Sequence, residues 1–185
     1  MKKLIINVVL ILTLFIIYFL QSDFFNWFTI AGIMPNLFII FVLFVGLFAN
    51  KTMGTIYGII LGLFLDLTVG TKVGIYAVCL GAIGFMAGAF DKNFSKDSRM
   101  TIMLMVLGST IIFEVGKYIL NYFFIDVNVE IINFIKIMAI EVIYNLIITI
   151  IVYPLIQKAG YYIENGAASA PAAPAWLTVI HRPAG

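Results

Sequence analysis

Six apolar runs follow one another along the chain, at 4–20, 32–49, 53–69, 73–90, 100–124 and 131–157, with short gaps between them. A helix that crosses a hydrocarbon core of about 30 Å needs about 20 residues, because each residue rises about 1.5 Å. The spacing predicts an all-α, polytopic membrane protein with about six transmembrane helices. The runs at 32–49 and 53–69 are marginal in length and also fit a shallow hairpin or re-entrant pair. Those at 100–124 and 131–157 are long enough to tilt or to project beyond the bilayer. Composition agrees: 63% of residues are hydrophobic and 11% charged, where soluble domains run at about 45–50% and about 25%.

The chain opens with Lys2 and Lys3 before an apolar stretch, as a secretory signal does. A cleaved signal ends in small residues; this run ends in Tyr18, Phe19, Leu20 and Gln21, so it reads as an uncleaved first helix. Lys2, Lys3, Lys51, Lys92, Lys96, Arg99 and Lys158 fall on one side of the six-span arrangement. Asp23, Asp66, Asp126 and Glu130 fall on the other, with Lys72 as the one basic loop residue there. The positive-inside rule then places both termini in the cytoplasm. Trp27, with Phe24, Phe25 and Phe28, lies where an outer interface would be, a normal place for aromatic side chains. The net charge of +2 is too small to point to nucleic acid. Cys79 is the single cysteine, so the chain makes no internal disulfide, and a lone thiol builds no metal site.

The chain divides into a membrane body, 1–160, and an Ala/Pro-rich tail, 161–185, which holds the only histidine, His181. The tail composition fits either a natural disordered segment or an added linker, and the linker is the favoured reading. Functional reasoning therefore stops near Asn165.

Inside the apolar runs, polar and small residues fall in rows. Gly54, Gly58, Gly62, Asp66 and Gly70 are spaced by four, which makes a narrow stripe on one helix face. Such a stripe lets another backbone approach closely. Gly74, Gly81, Gly84 and Gly88 follow in the next run. Close packing explains the glycines but not Asp66. Its place before a Thr/Gly-rich loop suggests that it ties the loop and caps the following helix, where the dipole favours an anion. A partner contact, or a proton or ion site, are the alternatives. Capping predicts that Asp66→Asn is tolerated and Asp66→Leu is not. In the last run Glu141, Asn145, Thr149 and Tyr153 recur at four-residue steps, with Pro154 following. In the fifth, Glu114, Lys117, Tyr118 and Asn121 share a face, and Glu114 with Lys117 forms a natural pair. Glu141 has no local partner; it either pairs across the bundle or is protonated. Ionisable groups at membrane depth face protein or water rather than lipid. Polar glue between helices is the favoured reading of both rows over a transport path. Nothing in the chain has the pattern of a phosphate loop, a Cys/His metal site or a Ser-His-Asp set, so no enzyme activity, cofactor or metal is expected.

Three segments together resemble a known family: MPNLFIIFVLFVG at 34–46, GIILGLFLDLTVGTKVGIYAV at 58–78 and EVIYNLIITIIVYPLI at 141–156. Their order and spacing are similar to those of the bacterial rod shape-determining MreD family. The matching positions are Pro35, Asn36, Gly62, Leu63, Asp66, Gly70, Gly74, Asn145 and Pro154, and the resemblance covers about residues 1–160. Lys72 and Val73 depart from the pattern, which more often has an apolar or Pro-Leu pair there. The resemblance implies a six-helix fold similar to the substrate-binding subunit of energy-coupling-factor transporters. It implies residence in the bacterial inner membrane and a scaffold role in the cell elongation complex. Its expected partners are an MreC-like bitopic protein, then MreB and the RodA/transpeptidase synthase, together with the lipid bilayer and self-association. Pro35, Asn36, Gly62, Asp66, Gly70, Gly74, Glu141, Asn145 and Pro154 are then structural or partner-binding candidates. The rival expectation is a small-molecule, vitamin-type carrier subunit. The first run, at 4–20, has neither Gly nor Ala for a carrier's close docking, which favours the scaffold.

Overall fold

A computed structural model describes residues 2–69, 72–90, 98–125 and 130–168. The expectations placed on Gly70, Lys92, Lys96, Asp126 and residues 169–185 lie outside these. The described chain is helical: α1 (Lys2–Phe19), a π-helical turn (Leu20–Phe24), the short α2 (Phe25–Trp27), α3 (Leu37–Phe48), α4 (Lys51–Thr68), α5 (Ile75–Phe90), α6 (Arg99–Ile125) and α7 (Ile131–Ala168). Asn7–Trp27, Arg99–Phe124 and Ile131–Tyr162 are long and apolar enough to cross a membrane, while α3 and α5 are apolar but shorter. The molecule is therefore a helical integral membrane protein. Its lipid-facing surface follows from exposure of large apolar side chains such as Leu12, Phe15 and Phe19 on α1.

At the centre lies α3, all twelve of whose residues are buried. It packs against α4, α5, α6, α7 and, more lightly, α1. The apolar run at 32–49 becomes helical only at Leu37, later than the sequence suggests. Ala31 and Gly32 sit at φ 53° and 79°, and Ile30 and Ile33 exchange two backbone hydrogen bonds of 3.0 Å. Pro35 lacks an N–H and disfavours helical backbone at Met34. The helix consequently spans about 18 Å rather than a full core.

The most extensive contact joins α4 to α5. It is antiparallel and built on missing side chains: Gly58 lies on the backbone of Leu80 and Gly81, Gly62 on that of Tyr76 and Ala77, and Gly88 on that of Lys51. Gly46 of α3 completes the junction. A Cβ on Gly46 would stand 2.6 Å from the Gly84 carbonyl oxygen, and one on Gly54 would stand 2.6 Å from the Gly46 Cα. Three backbones thus meet where lipid supplies no hydrophobic drive and dispersion at short range must hold the helices. Across the remaining pair, Tyr118 meets Phe134 at 4.5 Å between ring centroids, and Arg99 lies 5.4 Å over the Tyr153 ring, so α6 and α7 are also antiparallel. Helix direction alternates along α1, α3, α4, α5, α6 and α7. Lys51, Arg99 and Lys158 therefore share one end of the bundle, opposite Asp66, Lys72 and Glu130.

Pro154 lies within α7 on an exposed face, and the helix continues through it to Ala168. This helix runs past the 157 limit expected for the last span.

Gly84→Ala should force α4 and α5 apart and destabilise the protein by about 1–3 kcal/mol, as overpacking does. Gly108→Ala on α6, where nothing lies within 4 Å, should be neutral or slightly stabilising. Thermal unfolding of both variants in detergent checks the contrast.

Candidate functional site

Because α3 begins inside the bundle, its first-turn N–H groups have no water to meet. Side chains from α7, from the π-helical turn and from the cap residue Asn36 itself take that place. The Asn36 N–H donates to Asn145 Oδ1 of α7 at 2.6 Å, and the Leu37 N–H donates to Gln21 Oε1 at 3.1 Å. Asn36 Oδ1 accepts from the Ile39 N–H at 3.4 Å, a local cap. Gln21 Nε2 also donates to the Pro35 carbonyl at 2.7 Å, so one amide clamps both sides of the chain entering α3. Gln21 lies in the π-helical turn that ends α1. Asn145, fully buried, also donates through Nδ2 to Thr110 Oγ1 of α6 at 3.0 Å. The Thr110 hydroxyl in turn donates to the Val106 carbonyl at 2.9 Å. One residue of α7 therefore joins α3 and α6. From the adjacent position on α7, the Tyr144 hydroxyl donates to the Phe28 carbonyl, tying the segment after α2 to the same helix.

The start of α5 is held in the same manner by α4. Asp66 is 2% exposed. Its Oδ2 accepts from the N–H groups of Gly74 (2.8 Å) and Ala77 (3.1 Å), and its Oδ1 from that of Tyr76 (2.9 Å). These are first-turn and cap donors, so the negative charge sits at the positive end of the helix dipole. Gly74 has φ 113°, which a side-chain-bearing residue rarely adopts, and this bend aims its N–H back at α4. Gly62, one turn before Asp66, lets α5 come close enough for the carboxylate to reach. Farther along the loop, Lys72 donates to the Phe124 carbonyl near the end of α6.

Between these two capped starts lies an ionisable group of residues. Lys117 Nζ meets Glu114 Oε1 at 2.5 Å, an i, i+3 pair on α6. Glu141 of α7 is buried and faces Glu114, Lys117 and Asn36. Tyr76 of α5 lies within electrostatic reach of Glu114, Lys117, Glu141 and Asp66. The row Glu141, Asn145, Thr149 and Tyr153 is buried along its whole length, and Thr149 donates to the Asn145 carbonyl at 2.6 Å.

The structure thus brings Asn36, Asn145 and Glu141 together, and separately joins Gly62, Asp66 and Gly74. Pro35 enters through its carbonyl, and Pro154 stands apart from both groups. Gly70 lies outside the described residues. Sequence reasoning missed Gln21, Thr110, Tyr144 and Gly46. Gln21 and Thr110 are lone polar residues in or beside apolar runs, a signal that was available. Gly46 has no periodic companion on its own helix. Among the described residues, no group of three His, Cys, Asp or Glu is placed to hold a metal.

A second feature is a cavity of about 400 Å³ between α1, α3 and α7, walled by side chains such as Leu10, Ile17, Phe41, Phe44, Ile148 and Ile156. Its one polar wall residue, Thr13, spends its hydroxyl on the Val9 carbonyl at 2.8 Å. The cavity suits apolar groups alone.

A model of the family described as rod shape-determining protein MreD matches residues 2–160 of the chain. Neither the curated proteins nor the solved structures contain a match.

The geometry alters the expectation for Asp66→Asn. All three groups bound to Asp66 are N–H donors, so an amide must turn its own NH2 toward at least one of them. Asp66→Asn should lose about 1 kcal/mol and Asp66→Leu about 2 kcal/mol or more, since buried N–H groups left alone are costly. Thermal unfolding gives the order; equal losses would show that charge, not acceptor number, is what α5 requires.

Proposed function

The chain belongs to the rod shape-determining MreD family, and we propose that it is a non-enzymatic membrane scaffold of the bacterial elongation complex. The observation that carries this reading is the family match, which spans the membrane body from residue 2 to residue 160. In this reading the chain binds an MreC-like bitopic protein in the inner membrane. Through it the chain connects MreB to the RodA/transpeptidase synthase and to peptidoglycan synthesis. The paired interior favours a rigid platform: both internal helix starts are tied by side chains from neighbouring helices, and such ties hold α3, α6 and α7 in one register. Pro35, Asn36, Gly62, Asp66, Gly70, Gly74, Glu141, Asn145 and Pro154 serve in this reading as structural or partner-binding positions. Asp66 and Asn145 act by fixing helix starts.

We further propose six membrane crossings with both ends cytoplasmic. Alternating helix direction and the Lys51, Arg99 and Lys158 end support this orientation. The central α3 crosses within a sleeve of protein, so its short length and non-helical lead-in need no lipid match.

A tagged chain, crosslinked in the membranes of a rod-shaped bacterium and purified, should carry an MreC-like partner with it. Recovery of a transporter's energising subunits instead would replace the scaffold by the carrier. Single cysteines placed at the exposed positions 50 and 158 on a background lacking Cys79 should label from the cytoplasm, and those at 26 and 72 from outside. A cytoplasmic signal at 72 would contradict the six-span arrangement.

A further inference from the structure

The residues Glu114, Lys117 and Glu141 hold two carboxyl groups and one ammonium. Lys117 is committed to Glu114 at 2.5 Å. Glu114 and Glu141 are 2% and 6% exposed. Glu141 Oε1 is buried and meets no hydrogen-bond partner. The groups that face Glu141 are Glu114 and Lys117 from α6, Asn36 from the lead-in to α3, and Tyr76 from α5. Asp66 lies beyond Tyr76 with both oxygens engaged by backbone N–H groups. On the α1 side the nearest polar anchor, Gln21, is spent on Pro35 and Leu37. No second cation answers Glu141 among the described residues.

With both acids ionised the group would carry one uncompensated negative charge at membrane depth. A single such charge costs at least about 2.5–3.5 kcal/mol, and an orphaned oxygen on it adds to that. One proton removes both penalties. It neutralises the excess charge, and the acid O–H it creates on Glu141 can donate to the Glu114 carboxylate that Glu141 faces. We propose that Glu141, beside the Glu114–Lys117 pair, forms a proton-binding site inside the bundle. The proton comes from water and returns to it; no other bond is made or broken. Lys117, with 28% side-chain exposure, is less enclosed than Glu114. When the proton leaves, a second negative charge appears beside Asn36, whose N–H is the tie between α3 and α7. Occupancy of the site therefore controls how firmly that junction is held.

The test uses the full chain in lipid nanodiscs. The membrane body has no histidine, since His181 in the tail is the only one, so few other groups exchange protons near neutrality. Unfolding the wild type with strong detergent at about pH 7 should release about one proton per chain, read with an indicator dye. Glu141→Gln should release none. Because the proton is bound in the folded state and lost in the unfolded one, wild-type stability should be present at lower pH and fall as pH rises. Glu141→Gln should show no such fall. No release from the wild type would overturn the proposal, and that measurement decides the matter even if the variant fails to fold. Recovery of high-pH stability by sodium chloride but not by choline chloride would also overturn it, by making an inorganic cation the occupant.

Discussion

Lipid offers no hydrogen bonds, and in this bundle two helices begin within the protein rather than in water. Each start exposes N–H groups that would otherwise face an apolar surrounding. The chain meets this constraint with side chains lent by other helices. Asp66 of α4 holds the start of α5, while Gln21 and Asn145 hold the start of α3. Removing any of these leaves a polar backbone group stranded, so the polar residues of the interior are conditions for the helices to begin where they do.

Those side chains reach their targets only because the backbones are close. Gly62 removes the bulk that would separate Asp66 from the first turn of α5. Gly46, Gly54 and Gly84 bring α3 into the same junction. Close packing and capping are therefore one arrangement seen at two scales. Small residues set the distance, and an acceptor at the end of the row uses it. The result is a central helix buried on every side, with α1, α6 and α7 left to present long apolar faces to lipid.

Much of this was visible in the sequence because helical periodicity is strict. The glycine row of α4 and the Glu141, Asn145, Thr149, Tyr153 row of α7 each define a face by spacing alone, and both faces are buried. The position of Asp66 at the end of its row pointed to the following helix start. The start of α3 was harder to see, because Gly32–Asn36 is apolar enough to extend the run, and the left-handed backbone at Ala31 and Gly32, which delays the helix together with Pro35, leaves no spacing signal. Gln21 was hidden for a different reason. Its role depends on a π-helical turn, which shifts residues around the helix axis and has no simple spacing in sequence. Thr110 becomes meaningful only once Asn145 is placed beside it in space. Contacts between distant residues, such as these, carry no local pattern.

Helix starts buried in the bundle are satisfied by side chains from other helices. Amide hydrogen exchange of the chain in nanodiscs tests this most directly. First-turn amides of a helix open to water exchange rapidly, since no intrahelical carbonyl protects them. Exchange should be slow at Gly74, Tyr76 and Ala77, and at Asn36 and Leu37. Asp66→Leu should expose only the first group and Asn145→Ala chiefly Asn36. Rapid exchange at these amides in the wild type would contradict this capping.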